Sequence, residues 1–112
     1  MADGGAVTLD ISAAGANGTV RVVFAGELDS VTVGRLSDAI ERALRVHQAG
    51  EVVIDLANVT FLGCAAAVAL LTGAATARSR GIGFRVVNAR SGARRLLTLA
   101  AALPGSSAPY VL

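Results

Sequence analysis

The most reactive side chains in this 112-residue chain are one thiol and one imidazole, Cys64 and His47. A cysteine nucleophile needs a base within hydrogen-bond reach, so the separation of the two decides whether they work together. His47 falls near the end of a helical pattern, before the apolar run Val52 to Leu56, and Cys64 falls beyond that run. Read as a strand at ~3.3 Å per residue, the run holds the two roughly 16 Å apart. That excludes a nucleophile–base pair and makes His47 a surface residue at a helix end. Glu27 and Asp29 are carboxylates two positions apart that can share one side of an extended segment, an arrangement suited to general acid–base work. No partner base, metal-ligand spacing or glycine-rich phosphate loop accompanies them, and Gly81-x-Gly83 is a turn signal far short of a nucleotide fingerprint. A lone cysteine also excludes an intramolecular disulfide framework and a structural zinc cluster. The reading is of a chain that binds rather than catalyses, with no metal and no cofactor.

Periodicity supplies the elements that must position these residues. Val7, Leu9 and Ile11 alternate with Thr8 and Asp10, the pattern of a strand buried on one face. Ala13 to Gly18 is turn-like, and Thr19 to Ala25 reads as a second strand, closing an antiparallel hairpin. From Val31 the period becomes helical: Val33, Leu36, Ile40, Ala43 and Leu44 share a face, with Asp38 and Glu41 four residues before Arg42 and Arg45. Ser30 or Thr32 is placed to cap this helix, and Gly50 lies past its end. Val52 to Leu56 is a short apolar run typical of a strand buried on both faces. Asn58 to Gly63 reads as a loop, Cys64 to Ser79 as an Ala/Leu-rich helix closed by Gly81, Phe84 to Val87 as a strand and Ser91 to Ala102 as a helix. Tyr110 to Leu112, after a turn bracketed by Pro104 and Pro109, is a short final edge strand. The expected fold is a single α/β domain over residues 1–112. It has a mixed sheet of four to five strands, opening with an antiparallel hairpin, with helices packed on the sheet and right-handed crossovers.

Loops that leave the carboxyl ends of parallel strands emerge along one edge of the sheet, where open α/β sheets bind ligands. Three do so here: Gly26 to Thr32, Asn58 to Cys64, and Asn88 to Ser91. They gather Glu27, Asp29, Ser30, Thr32, Asn58, Thr60, Cys64, Asn88 and Ser91, a polar cluster in an otherwise apolar chain. Cys64 opens a helix, where unpaired N–H groups favour an anion and can make a thiol more reactive. The plainer reading, a small apolar residue packed at the start of a buried helix, is preferred to a reactive thiol.

The composition, 54% hydrophobic and 16% charged, excludes a disordered chain. With few aromatics, the core is built from Val, Leu, Ile and Ala, which leaves little room for a cofactor-sized cavity. All ten basic residues are arginine, a bias consistent with a bacterial source of high GC content. Arg90, Arg94 and Arg95 cluster, as do Arg78, Arg80 and Arg85. Without interleaved aromatics they read as solvated faces rather than a nucleic-acid surface, with a basic partner-docking face the lesser alternative. The first residues lack the charged and apolar regions of a signal peptide. The longest apolar stretch, Phe61 to Leu71, is far shorter than the ~20 residues that span a bilayer. The chain is expected to be cytoplasmic, without nucleic-acid or membrane partners, as a monomer or weak homodimer.

Several of these segments together carry a family resemblance. Val22 to Asp29, ending Gly26-Glu27-Leu28-Asp29, is similar to the second-strand motif of the STAS-domain anti-sigma-factor antagonists. Val52 to Leu62 is similar to the family's central strand and the loop after it, Gly81 to Asn88 to the next strand, and Ala93 to Leu97 to the following helix. The match covers nearly the whole chain in the correct order. The resemblance implies a regulator, not an enzyme, that binds an anti-sigma factor with a serine-kinase, ATPase-like fold and thereby frees a sigma factor. It places the partner contacts at Glu27, Asp29, Ser30, Thr60 and Cys64. In the family the switch is a D-S-S-G-L motif whose first serine is phosphorylated by that partner, which breaks the complex. Here the aligned stretch is Gly63-Cys64-Ala65-Ala66-Ala67. Cys64 takes the phosphoacceptor position and Gly63 the neighbouring aspartate's, so no hydroxyl remains and the phosphorylation switch is expected to be missing. The alternative is a redox- or ligand-sensing STAS module acting through Cys64 and the start of the second helix, with Thr60 or Ser30 as lesser candidates for a surrogate phosphoacceptor.

Overall fold

A computed structural model describes residues 10–12, 18–45 and 50–101. Among the described residues four strands and three helices follow in the order β1 (Asp10–Ser12), β2 (Thr19–Leu28), α1 (Val33–Leu44), β3 (Glu51–Leu62), α2 (Cys64–Ser79), β4 (Gly83–Val87) and α3 (Ser91–Ala101). The sheet order is β1-β2-β3-β4. β2, β3 and β4 are parallel, and β1 pairs antiparallel with β2. The connection between β1 and β2, His47, and the expected edge strand Tyr110 to Leu112 lie outside the described residues.

Strand alternation sends Val20, Val22 and Phe24 of β2, Val52, Ile54 and Leu56 of β3, and Phe84 and Val86 of β4 to one face. There they form a single core with the apolar faces of α1, α2 and α3. All three helices contribute to that core, so the architecture is two-layered. α1 buries Leu36, Ala39, Ile40, Ala43 and Leu44. α2 buries mostly alanines, and Gly73 admits α1 at close range: a Cβ there would lie 2.8 Å from Ile40 Cγ2. Gly81, at φ +72°, closes α2 with the Ile82 N–H donating to the Ala77 carbonyl at 2.8 Å, a left-handed cap that a residue with a Cβ adopts poorly.

The opposite face of β3 explains its unbroken burial. Val53 is only 2% exposed yet stands outside the core. It lies in register between Arg21 on β2 and Arg85 on β4, so arginine stems rather than helices cover it. Arg85 Nε bonds Glu51 Oε2 at 2.8 Å, and Arg21 pairs with Asp55. The expected burial of Val52 to Leu56 on both faces is therefore met, with its second cover made of charged side chains.

Two expected loops are in part strand. The continuous apolar runs stop before Gly26 and Asn58, which predicts connections over Gly26 to Thr32 and Asn58 to Cys64. Instead β2 runs to Leu28 and β3 to Leu62, pairing Ala25 with Asn58, Gly26 with Val59, Glu27 with Phe61 and Leu28 with Leu62. Register shifts between Val23 and Ala25 and between Gly26 and Glu27 make this possible. Gly26 takes φ +88° at the irregularity, a conformation that favours glycine. The shifts break the period of two that reveals a strand, while Leu28, Val59 and Leu62 still reach the core. Smaller differences are one residue each: β4 begins at Gly83, and α3 is described to Ala101.

Candidate functional site

Because β2 and β3 extend past the last β3–β4 pair, Asp55 with Val87, they project as a two-stranded arm. Two turns sit at its tip. In the first, the Val31 and Thr32 N–H groups donate to Asp29 Oδ1 at 2.9 and 3.1 Å. The Thr32 hydroxyl accepts from the Asp29 N–H at 2.9 Å and donates to the Glu27 carbonyl at 3.0 Å. Thr32 is the N-cap of α1, but its side chain makes no capping bond to the helix; it is spent closing the turn. In the second, the Gly63 N–H donates to the Leu28 carbonyl at 2.7 Å, which ties the start of α2 to the end of β2. The fit there is close: a Cβ on Gly63 would meet Phe61 Cε2 at 3.3 Å and Asp29 Cα at 3.6 Å.

The expected site residues sort accordingly. Glu27 and Ser30 are exposed beside the first turn, Cys64 is exposed as the first residue of α2, and Thr60 is exposed on β3 just before it. Cys64 is therefore not packed under the helix as expected: Gly63 is tied to Leu28, and the α2 positions that enter the core begin at Ala66. Asp29 is half-buried and commits one carboxylate oxygen to its own turn. The third expected loop does not join this cluster. Asn88 lies just after β4, which ends seven residues short of the β3 tip, roughly 20 Å along the strand. With φ +62°, Asn88 directs its amide to Asp55 Oδ1 at 3.1 Å.

Sequence reasoning missed two features. The first is apolar. Among the described residues four large hydrophobic side chains are exposed, and three of them, Val31 (87%), Phe61 (55%) and Val68 (59%), flank the two turns. Val68 lies one helical turn beyond Cys64 and Phe61 abuts Gly63. Exposed apolar side chains beside a pair of turns are available to a partner. Exposure of an apolar residue leaves no mark on composition, so the sequence carries no signal for it. The second feature is the Asp55 network at the base of the arm. Its carboxylate accepts from the Ala57 N–H at 2.9 Å, from Asn88 and from the Arg21 guanidinium. Burial pushes the Asp55 carboxyl up, but these hydrogen bonds and the arginine charge outweigh it and hold the group below its ordinary value. A lone aspartate inside an apolar strand was the available signal.

Among the described residues no three His, Cys, Asp or Glu side chains gather to hold a metal. The arrangement presents exposed apolar side chains, Val31, Phe61 and Val68, near the turns that also expose Glu27, Ser30 and Cys64. No described helix is long and apolar enough to cross a membrane.

Comparison with known proteins agrees with this architecture. A family model described as Mlab, STAS domain, matches residues 4–102. An anti-sigma factor antagonist from Mycobacterium paratuberculosis is 33% identical, with a TM-score of 0.69 over 86% of this chain and 79% of that one. The anti-sigma factor antagonist SpoIIAA in its unphosphorylated form has a TM-score of 0.66 at 16% identity, over 84% of this chain and 83% of that one. RsbS from Moorella thermoacetica has a TM-score of 0.67 at 16% identity, over 95% and 87%. The last two likenesses speak for the fold alone. No curated protein sequence matches. With the family model covering most of the chain and a one-third identical relative sharing its fold, this chain belongs to the STAS domain family.

Proposed function

We propose that this chain is a protein-binding regulator of the anti-sigma-factor-antagonist type. It binds a kinase-type anti-sigma factor through the tip of the β2–β3 arm and the start of α2, so freeing a sigma factor in the bacterial cytoplasm. The carrying observation is the gathering of exposed Val31, Phe61 and Val68 around the turns that hold Cys64. Glu27, Asp29, Ser30, Thr60 and Cys64 form the polar margin of the same face. A desolvated apolar centre with a polar rim is the usual anatomy of a protein interface. The relative at 33% identity is named as an anti-sigma factor antagonist, which supports the same reading.

The switch that adds charge to such a face is absent at the expected position. A phosphoserine brings about −1.5 to −2 charges, but Cys64 and Gly63 offer no hydroxyl. Binding is therefore constitutive with respect to phosphorylation there. The exposed thiol favours one second reading, a module that senses an oxidant or ligand at Cys64. An exposed thiol can be oxidised reversibly, and a bulky adduct would obstruct the apolar centre.

The test is capture of the anti-sigma factor from the source cell, followed by incubation with ATP and intact-mass measurement. Stable binding with no added phosphate is expected. Phe61→Asp and Val31→Asp should each abolish capture while leaving the fold intact. Unchanged capture by both variants would place the interface elsewhere. Asp29 is a poor probe because its replacement opens the turn itself; Glu27→Arg tests the acidic margin without that complication. Loss of binding after mild oxidation, restored by a thiol reductant, would favour the sensing alternative.

A further inference from the structure

A valley of about 310 Å³ runs between α1 and α2, starting beside the Cys64 end of α2. It is lined by Val33, Ile40 and Leu44 on one side and Ala65, Ala69 and Gly73 on the other. The alanine and glycine positions recur every four residues, so they form one row along α2; Ala65 and Ala69 leave the trough open, while Ile40 and Leu44 form its floor and Ile40 closes on Gly73. Thr72 and Thr76 also line it, but both hydroxyls donate to their own helix, to the Val68 carbonyl at 2.9 Å and the Thr72 carbonyl at 3.0 Å. These threonines therefore ask an occupant for no hydrogen bond. From Val33 to Leu44 the trough spans eleven residue steps, roughly 16 Å, or about three helical turns.

The two ends differ. The near end carries exposed Val68 and continues into the apolar face of the proposed interface. At the far end one carboxylate, Glu41, is shared by two guanidiniums, Arg45 at 3.5 Å and Arg80 at 3.7 Å. That trio has one positive charge in excess. We propose that the α1–α2 valley receives an amphipathic helix of a protein partner, lying antiparallel to α1 and α2, with acidic residues in its first turn facing Arg45 and Arg80. The apolar trough selects a helix with a two- to three-turn apolar stripe. The charge excess sets its direction, because acidic residues are favoured in a helix's first turn. This deepens the partner-binding reading and rests on it only in requiring a protein partner.

The probe is an acetylated peptide of about sixteen residues, with leucines at i, i+3, i+4 and i+7 spacing and glutamates in its first turn, titrated into the isotope-labelled full chain. Saturable amide shifts confined to residues 33–44 and 65–76 are expected. Thr72→Trp, which fills the trough from an exposed position, should weaken binding at least tenfold, and Val68→Asp should do so from the near end. Lysines in place of the glutamates should weaken it severalfold. Shifts elsewhere, no saturation, or equal binding by both variants would overturn the proposal. So would a free protein whose valley is already filled, by residues 102–112 in nuclear Overhauser contacts or by a second copy in concentration-dependent sedimentation. Phe61→Asp separates the two readings: it should abolish anti-sigma factor capture but leave peptide binding unchanged. A native chain that captures the anti-sigma factor but does not bind the peptide refutes only the valley.

Discussion

Asp55→Ala removes the acceptor on β3 that joins β2 and the residue after β4 at the base of the projecting arm. The carboxylate receives the Ala57 N–H at 2.9 Å, the Asn88 amide at 3.1 Å and the Arg21 guanidinium. Bonds to a charged, buried acceptor are worth about 1.5 kcal/mol each, so the first two contribute roughly 3 kcal/mol. Arg21 is 47% exposed, and a half-solvated pair adds only ~0.5 kcal/mol. Freeing the variant from burying a carboxylate offsets part of this, which leaves a net loss of about 2 kcal/mol. With a urea m-value of ~1.3 kcal/mol per molar, the unfolding midpoint, followed by circular dichroism, should fall by roughly 1.5 M. The sign of the pH dependence follows from the depressed pKa. The stabilisation is fully present above the unfolded aspartate value of ~3.9 and is lost as pH falls through the lower folded value. The gap between native chain and variant should therefore stay constant from pH 7 down to about 5 and close only in acid. A midpoint shift below ~0.3 M at pH 7 would refute the network, as would a gap that does not close on acidification.

Gly73→Ala should destabilise by about 1–3 kcal/mol in the same assay, because its methyl would sit 2.8 Å from Ile40 Cγ2 and force α1 and α2 apart. Thr32→Val should cost about 1–2 kcal/mol, since it leaves the Asp29 N–H and the Glu27 carbonyl without their bonds in a nearly buried turn; anti-sigma factor capture should weaken with it. The double variant Gly63→Asp with Cys64→Ser restores the family's switch residues, and intact mass after incubation with the captured kinase and ATP should show one added phosphate. The aspartate must displace the Phe61 ring by a few tenths of an ångström, so the midpoint of that variant should fall by less than for Gly73→Ala.

Most of the architecture was legible along the chain. The alternation of Val20, Val22 and Phe24 and the helical spacing of Leu36, Ile40 and Ala43 are local periods, and a period names its own buried face. Cys64 at the start of a helix needed no tertiary structure either. What remained hidden depends on pairing. Whether Asn58 to Leu62 is loop or strand was decided by its register with Ala25 to Leu28 and by the shifts at Gly26, which erase the local alternation while preserving burial. Asp55 found its partners 34 residues before and 33 residues after it, and no spacing rule connects positions so far apart.

The sequence by itself thus determined the elements, their order and the core, because side-chain periodicity and turn chemistry act between neighbours. The tertiary structure decided what the carboxyl edge of the sheet offers. It drew Asp29 into its own turn, set Asn88 back onto Asp55, and left Cys64, Phe61, Val31 and Val68 exposed together. Exposure is a property of what fails to pack against a residue. That is settled only when every other element has taken its place.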